Sequence, residues 1–117
     1  MPDILLFPGQ GSQFVGMGKD LFDNSNLAKE CYLRASDILG FDIADISFNG
    51  PEKSLKLTQY TQPAIFVHSI VIYKILESRG LTFSGVAGHS LGEFTAFVAA
   101  GVLTFEDAVK LVKVRSS

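Results

Sequence analysis

The sequence predicts an α/β fold with a parallel sheet, and three observations carry that reading. Ile4–Phe7 is a short, wholly apolar run closed by Pro8 and Gly9, the signature of a strand buried on both faces. Residues 85–88 form a second small apolar run that leads straight into a helical pattern. The long stretch between them is helical in periodicity, which is the pattern of strands joined by helical crossovers.

Taken in order, the first strand must be followed by a loop, and the glycines of "PGQGSQ", with Gly16 and Gly18 beyond, let main-chain N–H groups approach a ligand closely. The alternative reading of that loop is a turn whose residues do nothing chemical. Over residues 25–39, Leu27, Tyr32, Ala35 and Leu39 recur at helical spacing, with Gly40 as the stop signal. Residues 41–60, punctuated by Asn49, Gly50 and Pro51, read as a connector holding two brief helical turns. A long helix follows from Thr61 to Gly80, with Pro63 in its first turn and Phe66, Ile70, Tyr73 and Leu76 as its apolar stripe. After the second strand, a helix runs to about Ala100. Thr104 and Asp107 then have capping-box spacing for a last helix.

Two strands are fewer than the usual four to six or so of a sheet. The 117 residues therefore read as one partial α/β domain, the N-terminal part of a larger enzyme. The charge balance of 10 Lys+Arg against 12 Asp+Glu, with no block of like charge, argues against a nucleic-acid or polybasic membrane surface. Cys31 is the single cysteine, which excludes an internal disulfide and a thiolate metal cluster and fits a reducing, cytoplasmic setting. The N-terminus carries Asp3 where an export signal would be basic. The apolar stretch around residues 63–76 is interrupted by His68, Tyr73 and Lys74 before the roughly 20 residues a membrane span requires, so a soluble protein is expected.

The chemistry centres on Gly88-His89-Ser90-Leu91-Gly92, which fits G-x-S-x-G, the elbow that exposes a nucleophilic serine on a sharp strand-to-helix turn. Ser90 can equally be read as an ordinary N-cap. What favours the nucleophile is its place between a predicted strand and a predicted helix. Leu91, first in that helix, would offer its N–H to an oxyanion, and the glycine-rich loop is the natural source of a second donor. In a parallel sheet both loops lie at the carboxyl edge, where α/β folds bind ligands. A helix leading out from Leu91 and another back from Thr104 return Arg115 toward the elbow. There it would suit a carboxylate, or else simply complement a helix C-terminus. Neither His89, adjacent to the serine on the backbone, nor His68, in mid-helix, makes a convincing general base. The base is expected from residues outside this chain.

Three motifs in order, "LFPGQGSQFVGMG", "TQPAIF" and "GHSLGEFTA", resemble those of the acyltransferase family that includes malonyl-CoA:acyl carrier protein transacylases and the acyltransferase domains of fatty acid and polyketide synthases. The resemblance covers essentially the whole chain. It implies an α/β hydrolase-like acyltransferase core cut before a ferredoxin-like subdomain. By it Ser90 is the acyl acceptor, Gln10 and Leu91 supply the oxyanion hole, and Arg115 pairs with the malonyl carboxylate. Gln62 helps order the site, and His89 belongs to the motif without being the base. It further implies malonyl-CoA and acyl carrier protein as partners, with no cofactor and no metal. A serine hydrolase with the same elbow, or a non-catalytic fragment, are the competing readings. Lys110 and Lys113 are candidates for a carrier-protein surface.

Overall fold

The computed structural model describes residues 4–7, 13–80, 85–88 and 91–116, the strand residues and residues 91, 93 and 94 by their backbone alone. Strand β1 (Ile4–Phe7) pairs in parallel with β2 (Gly85–Gly88), in a register that sets Ile4 opposite Gly85 and Phe7 opposite Gly88. Parallel strands cannot be joined by a tight hairpin, and here everything from residue 8 to residue 84 forms the crossover.

The crossover is helical. It comprises α1 (Lys19–Asn24), α2 (Asn26–Leu39), α3 (Ile43–Asn49), α4 (Glu52–Leu55) and α5 (Thr58–Ser78), and α6 (Leu91–Ala99) and α7 (Phe105–Ser116) follow β2. Helix α2 starts where the Ser25 hydroxyl accepts the Ala28 N–H at 3.2 Å. It stops at Gly40, whose left-handed φ of 85° lets its N–H reach the Ser36 carbonyl. The stripe it buries is Ala28, Cys31, Tyr32, Ala35 and Leu39. Leu27, expected in that stripe, is only half-buried, because the helix turns Ala28 and Cys31 toward the core in its place.

Helix α5 departs further from expectation. It begins at Thr58, so Pro63 sits in its second turn, where its missing N–H removes one ladder bond. The early start is held by the Leu57 carbonyl, which accepts from the N–H groups of Tyr60 and Thr61, and by the Thr61 hydroxyl, which donates to the Leu55 carbonyl. From Thr61 to Val67 every residue is buried, so the helix is apolar all round over two turns and no single stripe describes it. It is the core element, packed against α2, α3, α4, α6 and α7. Phe66 stacks on Phe105 of α7 with centroids 6.0 Å apart. Phe22, Tyr32 and Phe48 form an aromatic cluster that joins α1, α2 and α3. Fully burying a side chain such as Phe66 is worth about 1.5–3 kcal/mol, and the partly buried Phe22 and Phe48 contribute a smaller share that helps hold the short helices in place.

Helix α6 packs on both strands and on α5 and α7. Among the described residues no helix is long and apolar enough to cross a membrane.

Candidate functional site

The register of the sheet sets where the chain leaves the two strands. Because Phe7 pairs with Gly88, the two strands end side by side, and the chain leaves both at one edge. Neighbouring strands are about 4.8 Å apart, so the segments that follow begin next to each other. One is the glycine-rich stretch with Gln10, and the other is His89 and Ser90. These three residues lie outside the described residues.

Only two residues separate the end of β2 from the start of α6 at Leu91, which is the tight strand-to-helix connection a serine elbow requires. Leu91 opens a helix of 9 residues, so its N–H is among those with no intrahelical acceptor, and the positive end of the helix dipole points the same way. Gly92, Thr95 and Ala96 are buried, seating the helix firmly.

Gln62 lies on α5, which packs directly against α6. Its side chain is 7% exposed and its Oε1 has no hydrogen-bond partner among the described residues. A buried amide oxygen without a donor is costly, and this one lies on the helix that packs against α6. Arg115 occupies the last turn of α7, exposed, with Lys113 in the same turn. Helix α7 packs on α6 and is three residues longer, about 18 Å against about 14 Å. Lys113 donates to the Ile38 carbonyl at 3.2 Å, and Lys110 lines the same shallow groove with Ile38 and Val114.

His68 is half-buried on α5, and burial lowers its pKa from the ordinary histidine value. Its imidazole faces Gly18, and it acts as a packing residue there. Among the described residues no three His, Cys, Asp or Glu side chains come together as a metal site needs.

The sequence reading placed Tyr32 in a helical stripe and Gly18 in the glycine-rich stretch, without their contact with each other. Tyr32 is fully buried, its hydroxyl has no hydrogen-bond partner among the described residues, and burial pushes its phenol pKa up. Its only trace in the sequence is membership of a helical stripe, which says nothing of the hydroxyl.

Comparison with known proteins agrees with this geometry. Residues 4–117 match the acyl transferase domain family. A malonyl CoA-acyl carrier protein transacylase of Bacillus subtilis is 46% identical over 111 residues, covering 94% of this chain and 28% of the relative. One from Synechocystis is 48% identical, covering 95% of this chain and 37% of the relative. The crystal structure of a Synechocystis malonyl-CoA:ACP transacylase superposes with a TM-score of 0.95 at 46% identity, over 99% of this chain and 39% of that one. A malonyl-transacylase in complex with a type II polyketide synthase acyl-carrier protein gives 0.94 at 40% identity, over 99% and 38%. The chain thus spans about a third of the length of the curated relatives it matches. With a match that runs from the first strand to the end of α7, this chain belongs to the acyl transferase domain family.

Proposed function

We propose that these residues are the N-terminal part of an acyltransferase domain that moves a malonyl group from malonyl-CoA to the phosphopantetheine thiol of acyl carrier protein, through a malonyl-serine at Ser90, in fatty acid biosynthesis. The observation that carries this reading is the pairing of Phe7 with Gly88, which starts the Gln10 and Ser90 segments from adjacent strand ends. The relatives' names support the substrate and the carrier.

In this reading the Ser90 oxygen attacks the thioester carbonyl, and the Gln10 and Leu91 N–H groups hold the oxyanion that forms. The C–S bond breaks, and CoA leaves as its thiol with the proton that the serine gave up. The carrier's pantetheine thiol then attacks the serine ester, and Ser90 recovers its proton. Arg115 pairs with the free carboxylate of the malonyl group, Gln62 orders the site through its buried amide, and His89 contributes as part of the substrate-binding motif. The general base and a ferredoxin-like subdomain belong to the part of the α/β hydrolase-like domain that these residues do not include. No cofactor, metal or nucleic acid enters the reaction, and the enzyme works in the cytoplasm.

The test uses the complete reading frame that encodes these residues. Incubated with malonyl-CoA, the enzyme is expected to give a malonylated peptide containing Ser90 by mass spectrometry, and to pass the group to added carrier protein. Ser90→Ala abolishes both. Release of free malonate in place of transfer makes the protein a serine hydrolase.

A further inference from the structure

Helix α7 is strapped to α2 near both of its ends. The Arg34 guanidinium of α2 meets the Glu106 carboxylate, in the first turn of α7, at 2.6 Å. In the last turn the Lys113 ammonium donates to the Ile38 carbonyl at 3.2 Å, at the C-terminal, negative end of α2. Glu106 and Lys113 stand seven positions apart, about two turns at 3.6 residues per turn, so they share one face of α7. Arg34 and Ile38, four positions apart, share one face of α2. The two contacts therefore act on the same seam.

Arg115 stands on the other side of that helix. It follows Lys113 by two positions, about 200° around the axis, and the buried face of Phe105, Val109, Val112 and Ser116 lies between the two. The neighbours of α7 are arranged to match. Helices α2 and α6 each pack on both α5 and α7, and among the described residues they form no packed pair with each other, so they lie on opposite flanks of the α5 and α7 pair. Pinning α7 to α2 through Lys113 thus sets Arg115 on the flank of α6, the helix that opens at Leu91.

Apolar burial fixes the rotation of α7 only loosely, because it is non-directional. Hydrogen bonds and ion pairs select an angle. We infer that Lys113 is a positioning residue, whose ammonium on the Ile38 carbonyl acts with the Arg34 to Glu106 pair to set the rotation of α7 and so hold Arg115 on the α6 flank in aim for a substrate carboxylate. This rests on reading Arg115 as the partner of the malonyl carboxylate. A clamp works when it is held in place before the substrate arrives, so slack in it weakens malonyl transfer and leaves acetyl transfer, which never uses it, unchanged. Both contacts are exposed, a class that adds little to stability, so the fold survives the loss of either.

The experiment uses the complete enzyme with free pantetheine as acceptor, so that carrier docking does not enter. It measures kcat/KM for malonyl-CoA and acetyl-CoA, together with Tm, in wild type, Lys113→Met, Lys113→Arg, Glu106→Ala and Arg115→Ala. Lys113→Met keeps the aliphatic stem and is expected to lower the malonyl-to-acetyl ratio by about fivefold, through malonyl alone, with Tm little changed. Lys113→Arg still donates to the carbonyl and keeps the ratio. Glu106→Ala releases the other end of the strap and lowers the ratio by a smaller factor. Long-range charge alone predicts the opposite there, since removing a carboxylate favours an anionic substrate. A ratio that holds or rises in Glu106→Ala, or that is unchanged in Lys113→Met, overturns the inference. So does a parallel fall of both substrates with Tm, which makes Lys113 a residue of the fold alone. A wild-type ratio in Arg115→Ala overturns the reading of Arg115 itself, and the role of Lys113 with it.

Discussion

The Thr104 hydroxyl accepts the backbone N–H of Asp107 at 3.1 Å, closing the first turn of the helix that carries Arg115. The Thr104 carbonyl begins the helical ladder by accepting from the Ala108 N–H at 3.0 Å. Two acidic residues, Glu106 and Asp107, add favourable charge at the positive end of the dipole. Replacing an N-cap threonine by alanine costs about 1 kcal/mol. Thr104→Ala should therefore lower the urea midpoint of the chain, while Thr104→Ser should keep most of the stability. Equal loss in the two variants would place the effect in packing and not in the cap.

Cys31 is 6% exposed on the buried face of α2, and burial pushes its thiol pKa above the ordinary value. The thiolate is the reactive form, so both exposure and ionisation oppose modification. Iodoacetamide at pH 8 should alkylate the native chain many-fold more slowly than the urea-unfolded chain. Labelling at the same rate in both would mean that α2 is not packed on α5 and α7.

Much of the architecture is written locally. The apolar run Ile4–Phe7, the Ser25 and Gly40 signals around α2, and the Thr104 to Asp107 spacing each sit within a few residues and are found in place. What escapes a reading of the sequence is decided by distant partners. Helix α1 has six residues and opens at Gly18 with no side-chain cap, so it carries neither periodicity nor a start signal. The start of α5 rests on carbonyls of Leu55 and Leu57, and its all-round burial comes from five helices packing on it. The site divides in the same way. The connection from β2 to Leu91 is legible from a motif, and so is the place of Gln62 on a helix. The contact of Tyr32 with Gly18 needs α2 to fold back over the turn, and no spacing announces it.

His68 links folding to pH. Burial lowers its pKa, so the unfolded chain takes up a proton, near the ordinary value of 6.5, that the folded chain refuses. Its contribution to stability is complete above 6.5 and is lost as pH falls through the lower folded value. Urea midpoints at pH 7.5 and 5.5 should differ more in wild type than in His68→Gln, which removes this titration. Identical pH slopes would show that the imidazole is hydrated in the folded protein.

Selectivity is the sharpest consequence of Arg115. Under the proposed function its guanidinium meets the malonyl carboxylate in a bidentate pair, which lysine reproduces poorly. An acetyl group presents no carboxylate for that pair, and a site built to pair with a substrate charge rejects analogues that lack it. In the complete enzyme, Arg115→Ala should reduce malonyl transfer by about a hundredfold while acetyl transfer holds, since acetyl never uses the pair. Arg115→Lys should fall between the two for malonyl. The discriminating quantity is the ratio of kcat/KM for malonyl-CoA over acetyl-CoA. If both fall equally in Arg115→Ala, the arginine serves the C-terminal turn of α7 and another group reads the carboxylate.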